Sequence, residues 1–131
     1  MRTWLITGAN RGLGYEMAKS ALLQGDQVIA TARNVKHLHE KFEDFQPRVL
    51  TLSLDVTDSK SISLAIDAGV KQFGRIDILV NNAGFGQLGP FEQISEQAVE
   101  RQFQTNVFGV FAVTRAVLPI MRSQRSGHII S

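Results

Sequence analysis

The stretch Thr7-Gly8-Ala9-Asn10-Arg11-Gly12-Leu13-Gly14 decides the fold, because of what stands on either side of it. Before it runs an apolar, β-branched segment over residues 3–7, and after it Leu13, Met17, Ala21 and Leu22 recur at helical spacing. Three glycines between a strand and a helix allow a tight turn and close approach of a ligand to the backbone. Free N–H groups and the dipole at the helix start favour a phosphate there. Taken alone, the loop reads equally well as a turn without a ligand.

Working outward, further strand-like runs cover 28–32, 49–54 and 76–80, and a fifth begins at His128. Helical patterns lie between them. The first holds the stripe just named, a short polar helix covers 35–45, and a third carries Ile62, Leu64, Ala65 and Val70. A longer helix is expected over about 96–124, with Ala98, Phe103, Val107, Val110, Phe111, Thr114, Val117 and Leu118 on its apolar face and a possible kink at Pro119. On the first helix Tyr15 and Lys19, which share a Tyr-x-x-x-Lys spacing, should lie opposite the stripe of Leu13, Met17 and Ala21, toward solvent. Strands that alternate with helices require parallel pairing through right-handed crossovers, so the expected fold is α/β, a doubly wound parallel sheet. All 131 residues form one domain.

Composition narrows the function. The 14 Lys and Arg against 12 Asp and Glu leave a net charge of +2 with no basic run, so no nucleic-acid or membrane partner is expected. The longest apolar stretch, 107–113, falls short of the ~20 residues a bilayer needs. The strand pattern starts at once, without room for a cleavable leader, and there is no cysteine; a cytoplasmic location is the expectation. No metal site is expected, since His37, His39 and His128 have no ligand spacing with acids. Hydrolase and nucleotide-triphosphatase motifs are missing as well.

Beyond the loop stand Leu54-Asp55-Val56 at the end of the third strand, Asn81-Asn82-Ala83-Gly84 after the fourth, and Asn106 within the long helix. With the Thr-Gly-x-x-x-Gly-x-Gly spacing, these motifs, in this order, resemble the short-chain dehydrogenase/reductase family over essentially the whole chain. The resemblance implies a Rossmann fold with strand order 3-2-1-4-5, interrupted here in the fifth strand, so that the domain is incomplete at its C-terminal end. It implies a dinucleotide bound by Gly8, Asn10, Arg11, Gly12, Leu13 and Gly14. Asp55, followed by Val56, resembles the aspartate that accepts from the adenine amino group; a helix-capping role shared with Thr57 or Asp58 is the alternative. Asn82, Ala83 and Gly84 would stand beside the nicotinamide ribose, where the crevice opens between strands one and four. Asn106 matches the asparagine that reaches the catalytic lysine through water, the alternative being an amide bonded to its own helix.

Charge argues for the phosphorylated cofactor. About twenty residues past the loop, where an acid would bind the ribose hydroxyls of NAD, the sequence has Ala32-Arg33, and no acid lies between Gln27 and His39. Arg11 and Arg33 can converge on a 2′-phosphate, so NADP(H) is preferred over NAD(H); two solvated surface arginines are the alternative. The substrate would be a small carbonyl or alcohol, with Phe85, Leu88 and Phe91 hinting at a lipophilic one. The resemblance places the acid/base serine and Tyr-x-x-x-Lys beyond residue 131, so these residues alone are expected to be inactive, and the full-length enzyme to be a dimer or tetramer. Two other readings stay open: a catalytically inert dinucleotide-binding sensor or pseudoenzyme, and a structural domain without a ligand.

Overall fold

The structure, a computed structural model, describes residues 1–83 and 95–131. Its strands are β1 (Thr3–Ile6), β2 (Gln27–Ala32), β3 (Val49–Ser53), β4 (Ile78–Val80) and β5 (His128–Ile130). All neighbouring pairs are parallel, in the order β3-β2-β1-β4-β5. The expected order is therefore found. In register, Leu5 of β1 stands beside Ile29 of β2 on one side and Leu79 of β4 on the other.

Side chains alternate across a strand, and here the alternation divides the core in two. Ile6, Val28, Ala30, Ile78 and Val80 meet helices α1 (Gly12–Leu23) and α2 (Leu38–Phe42), where Ala18, Leu22, Leu38 and Phe42 are buried. Leu5, Ile29 and Leu79 face the other way, against Ile62, Ala65 and Ile66 of α3 (Ser59–Phe73) and Val113, Val117 and Met121 of α5 (Gly109–Gln124). Each fully buried Leu, Ile or Phe contributes about 1.5–3 kcal/mol, so the central strands hold the sheet from both faces. Helix α3 begins on Asp58, whose carboxylate accepts from the N–H groups of Lys60 and Ser61, and ends on Gly74 at φ +80°.

Three helical expectations are corrected. In α1 the buried residues are Gly14, Ala18, Ala21 and Leu22, while Leu13 is 68% exposed. The helix is rolled because Gly14 lies directly against the glycine loop: a Cβ there would stand 2.2 Å from the Gly8 carbonyl oxygen. The same roll brings Tyr15, expected in solvent, half-buried against Phe42, with ring centroids 5.4 Å apart. The segment 35–45 is not one helix: after α2 it tightens to a 3₁₀ turn, Glu43–Phe45, which leaves Leu38 and Phe42 one turn apart on the core side. In α3, Leu64 is exposed and Ile66 is buried in its place.

The long helix is three pieces. Helix α4 (Glu96–Phe103) passes through a π turn, Gln104–Phe108, into α5. Pro119 lies inside α5, and the departure from α geometry comes earlier, at the π turn. The extra residue of that turn shifts the helical face. Val113, Val117 and Met121 are buried, whereas Phe103 and Phe111, expected on the apolar face, are 53% and 61% exposed. Counted as one run, Glu96–Gln124 is 29 residues and apolar enough to cross a membrane by length and composition, contrary to the expectation drawn from 107–113; in this fold it contributes to the core against α3.

Candidate functional site

Thr7, at the carboxyl end of β1, organises the place where the chain reverses direction across the sheet. Its hydroxyl oxygen accepts the N–H groups of Asn82 (3.0 Å) and Ala83 (2.9 Å), while its own N–H donates to the Val80 carbonyl (3.1 Å). The Asn82 side-chain amide donates to the Gly8 carbonyl at 3.0 Å. These bonds tie the loop after β1 to the loop after β4. Gly8 and Gly12 have φ of +66° and +60°, in the left-handed region that a side chain resists. A second tie fixes the start of the loop to β2, for the Ala9 N–H donates to the Thr31 carbonyl at 2.8 Å.

Between these loops opens a cavity of about 630 Å³. Gly8, Asn10, Arg11, Gly12, Arg33, Asp55, Val56, Asn82 and Ala83 all line it, so the sequence motifs converge. A Cβ built on Gly12 meets nothing within 4 Å, which leaves the loop open for a ligand to reach its backbone. Gly14 serves differently: it packs the helix against Gly8 and Asn82 from behind. Leu13 is exposed and does not line the cavity, and Gly84, with Phe85, Leu88 and Phe91, falls outside the described residues. Asn106 sits half-buried at the centre of the π turn; its neighbour Thr105 lines the cavity. Asn34, Leu54 and Thr105 are additions, each one position from a residue the motifs mark. Thr7 opens the glycine motif, but its role is an addition, because nothing local reveals a hydroxyl whose partners lie some 75 positions on.

At the far end, Asp55 accepts from the Thr57 hydroxyl (2.6 Å) and N–H (2.9 Å), both at Oδ1. These two bonds lower its pKa from the ordinary carboxylate value against the opposing effect of burial, and the charge of Arg33 adds to them. Asp55 is thus ionised and an acceptor only. It does not cap α3, a role that falls to Asp58, so the capping alternative is answered. Arg11 and Arg33 are exposed at the cavity and enter no ion pair, those of the described residues being Arg2–Asp26, His37–Glu40 and Arg75–Asp77. A second hollow of about 710 Å³ adjoins along α4 and the π turn and shares Arg33 and Thr105, but the glycine loop takes no part in it. Among the described residues no cluster of His, Asp and Glu could hold a metal ion.

A helix start without a side-chain cap, a glycine loop open to its backbone and a switch-point crevice in a 3-2-1-4-5 parallel sheet are the features of a dinucleotide-binding α/β domain. Comparison with known proteins carries this further. The sequence model described as short chain dehydrogenase matches residues 2–131. Among curated proteins, Oxidoreductase BOA17 of Botryotinia fuckeliana is 44% identical over 98% of this chain and 47% of its own length. A 3-ketodihydrosphingosine reductase of Bacteroides thetaiotaomicron is 40% identical over 97% and 45%, and bovine retinol dehydrogenase 8 is 38% identical over 98% and 43%. Among solved structures, a short-chain dehydrogenase from Streptomyces avermitilis superposes with a TM-score of 0.92 at 40% identity, covering 98% of this chain and 48% of that one. The 3-ketoacyl-(acyl-carrier-protein) reductase of Brucella melitensis, complexed with NADH, gives 0.90 at 30% identity, covering 94% and 51%. The chain belongs to the short-chain dehydrogenase family of oxidoreductases. It spans about half the length of the curated relatives it matches.

Proposed function

We propose that the protein is an NADPH-dependent oxidoreductase that interconverts a carbonyl and an alcohol. The observation that carries the cofactor preference is the pair Arg11 and Arg33, which line one cavity and enter no ion pair among the described residues, in a segment that has no acid to engage a free ribose 2′-hydroxyl. Guanidinium forks match a phosphate, and an aspartate in either place would repel it. When bound, the nicotinamide ring supplies or takes up the hydride.

The chain's own residues bind and orient. The N–H groups at the start of α1 receive the pyrophosphate. Asp55, held ionised by Thr57, accepts from the adenine amino group. The Thr7 clamp sets Asn82 and Ala83 at the opposite end of the cavity, beside the nicotinamide ribose. Family resemblance gives Asn106 the part of an amide in the proton relay, and the π turn displaces it from the regular helix beside Thr105. A lipophilic substrate is supported by the names of the sphingosine-type and retinol relatives. A homo-oligomer is supported by the exposed Phe103, Phe108 and Phe111 on the long helical run.

The test is a titration of wild type and Arg33→Asp with NADPH and NADH. Wild type should favour NADPH, and R33D should lose about 1.5–3 kcal/mol of NADPH binding with little change for NADH. Equal affinities in wild type, or an unaltered preference in the variant, overturn the reading.

A further inference from the structure

We infer that Lys41 is a third determinant of selectivity for a 2′-phosphorylated nucleotide, an inference that rests on the NADPH reading above. Lys41 stands eight positions past Arg33, on α2, where no motif marks it. The helix is anchored by Leu38 and Phe42, both buried, which leaves Lys41 on the exposed side facing the glycine loop. Its ammonium donates a hydrogen bond to the Asn10 carbonyl and lies 5.5 Å from the centroid of the Tyr15 ring. Tyr15 is in turn fixed by its contact with Phe42. Carbonyl and ring face together hold a charge on a flexible four-carbon stem against Asn10, which with Arg11 and Arg33 lines the cavity, although Lys41 itself does not.

Among the described residues that charge has no carboxylate partner. Glu40, its neighbour on α2, lies 3.8 Å from the His37 ring, and neither it nor Glu43 and Asp44 on the following turn forms an ion pair with Lys41. An ammonium has three donors, of which the Asn10 carbonyl takes one. A phosphate monoester carries about −1.5 to −2 charges at neutral pH and several acceptor oxygens, so it is the ligand that uses the remaining donors beside two arginines. Holding the ammonium before the ligand arrives lowers the ordering cost of a lysine contact. The Tyr15–Lys41 pairing is also why the roll of α1 matters, since a Tyr15 turned to solvent would leave the ammonium held by the Asn10 carbonyl alone.

The test compares 2′,5′-ADP with 5′-AMP by calorimetric titration, using wild type, Lys41→Gln, Lys41→Arg and Lys41→Glu. Lys41→Gln removes the charge and keeps an amide donor, on a side chain one bond shorter, and Lys41→Arg keeps the charge as its control. K41Q should weaken 2′,5′-ADP by roughly tenfold while leaving 5′-AMP within about twofold; Lys41→Arg should retain the preference and Lys41→Glu should lose more. Wild-type affinity for 2′,5′-ADP should also fall more steeply with salt than that for 5′-AMP. If K41Q weakens both nucleotides equally, Lys41 is a brace of the loop and the inference is wrong. If wild type prefers 2′,5′-ADP and K41Q and K41E keep that preference, Lys41 is not a determinant while the two-arginine reading stands. No preference in wild type removes both.

Discussion

Gly14 and Thr7 show how two side chains, one of them a single hydrogen, set the cavity without touching its interior. Any Cβ at Gly14 meets the Gly8 carbonyl oxygen at 2.2 Å and the Asn82 amide nitrogen at 2.4 Å, and the first of these is backbone that cannot rotate away. Gly14→Ala should therefore push α1 off the loop, costing about 1–3 kcal/mol and weakening nucleotide binding at least tenfold. Denaturant unfolding and nucleotide titration measure the two effects, and an alanine variant with wild-type stability would contradict the packing described. The spacing of the glycines is legible in the sequence, but their separate duties are not. Gly8 and Gly12 answer to backbone conformation, visible as a loop pattern, whereas Gly14 answers to a neighbour 68 positions away. Thr7 reads as one more strand residue until Asn82 and Ala83 are folded beside it.

The π turn is the element on which the Asp55–Val56 end of the cavity depends. Gly109, just past it, allows the helix to approach Val56, whose Cγ2 would be 2.6 Å from a Cβ on Gly109. Val56 lines the cavity, so bulk added at 109 is transmitted to the ligand. Gly109→Ala should destabilise the fold by about 1–3 kcal/mol and weaken nucleotide binding, and Val56→Ala in the same chain should recover part of both losses. A double-mutant cycle measures this; strictly additive effects would mean that the two residues are uncoupled. Strand order and the sequence of helices were readable because apolar runs of period two alternate with runs of period 3.6. The π turn was not, since one inserted residue rotates everything after it while leaving the local composition unchanged. That rotation is why Phe111, past the turn, is exposed and Met121 is buried.

Across the whole molecule the sheet has a binding edge and a bracing edge, and the bracing edge is where acid should act. At the amino ends of the strands, Asp26 accepts from the Arg2 N–H (3.0 Å) and the Trp4 indole N–H (2.9 Å), and Asp77 accepts from the Thr3 N–H (2.8 Å) and from Arg75. β1 is thus gripped from β2 on one side and from β4 on the other. Burial opposes ionisation of both carboxylates, but the hydrogen bonds and nearby cations outweigh it and lower each pKa below the ordinary value. A group whose folded pKa lies below its unfolded one stabilises the native state above the unfolded value, about 3.9 for Asp, and that contribution is lost as pH falls through the folded pKa. Stability should therefore be level through neutral pH and fall below about pH 4. Asp26→Asn should cost about 1.5–3 kcal/mol at pH 7, where the carboxylate is charged in wild type, and progressively less as pH falls through the lowered folded pKa, where wild type loses the charge too. Because Asp26 lies at the end of the sheet away from the glycine loop, nucleotide affinity at neutral pH should change less than twofold. Urea unfolding across this pH range, with a nucleotide titration at pH 7, checks both; a D26N deficit that stays constant from pH 7 down to pH 2 would show that the side chain acts through packing and not through its charge.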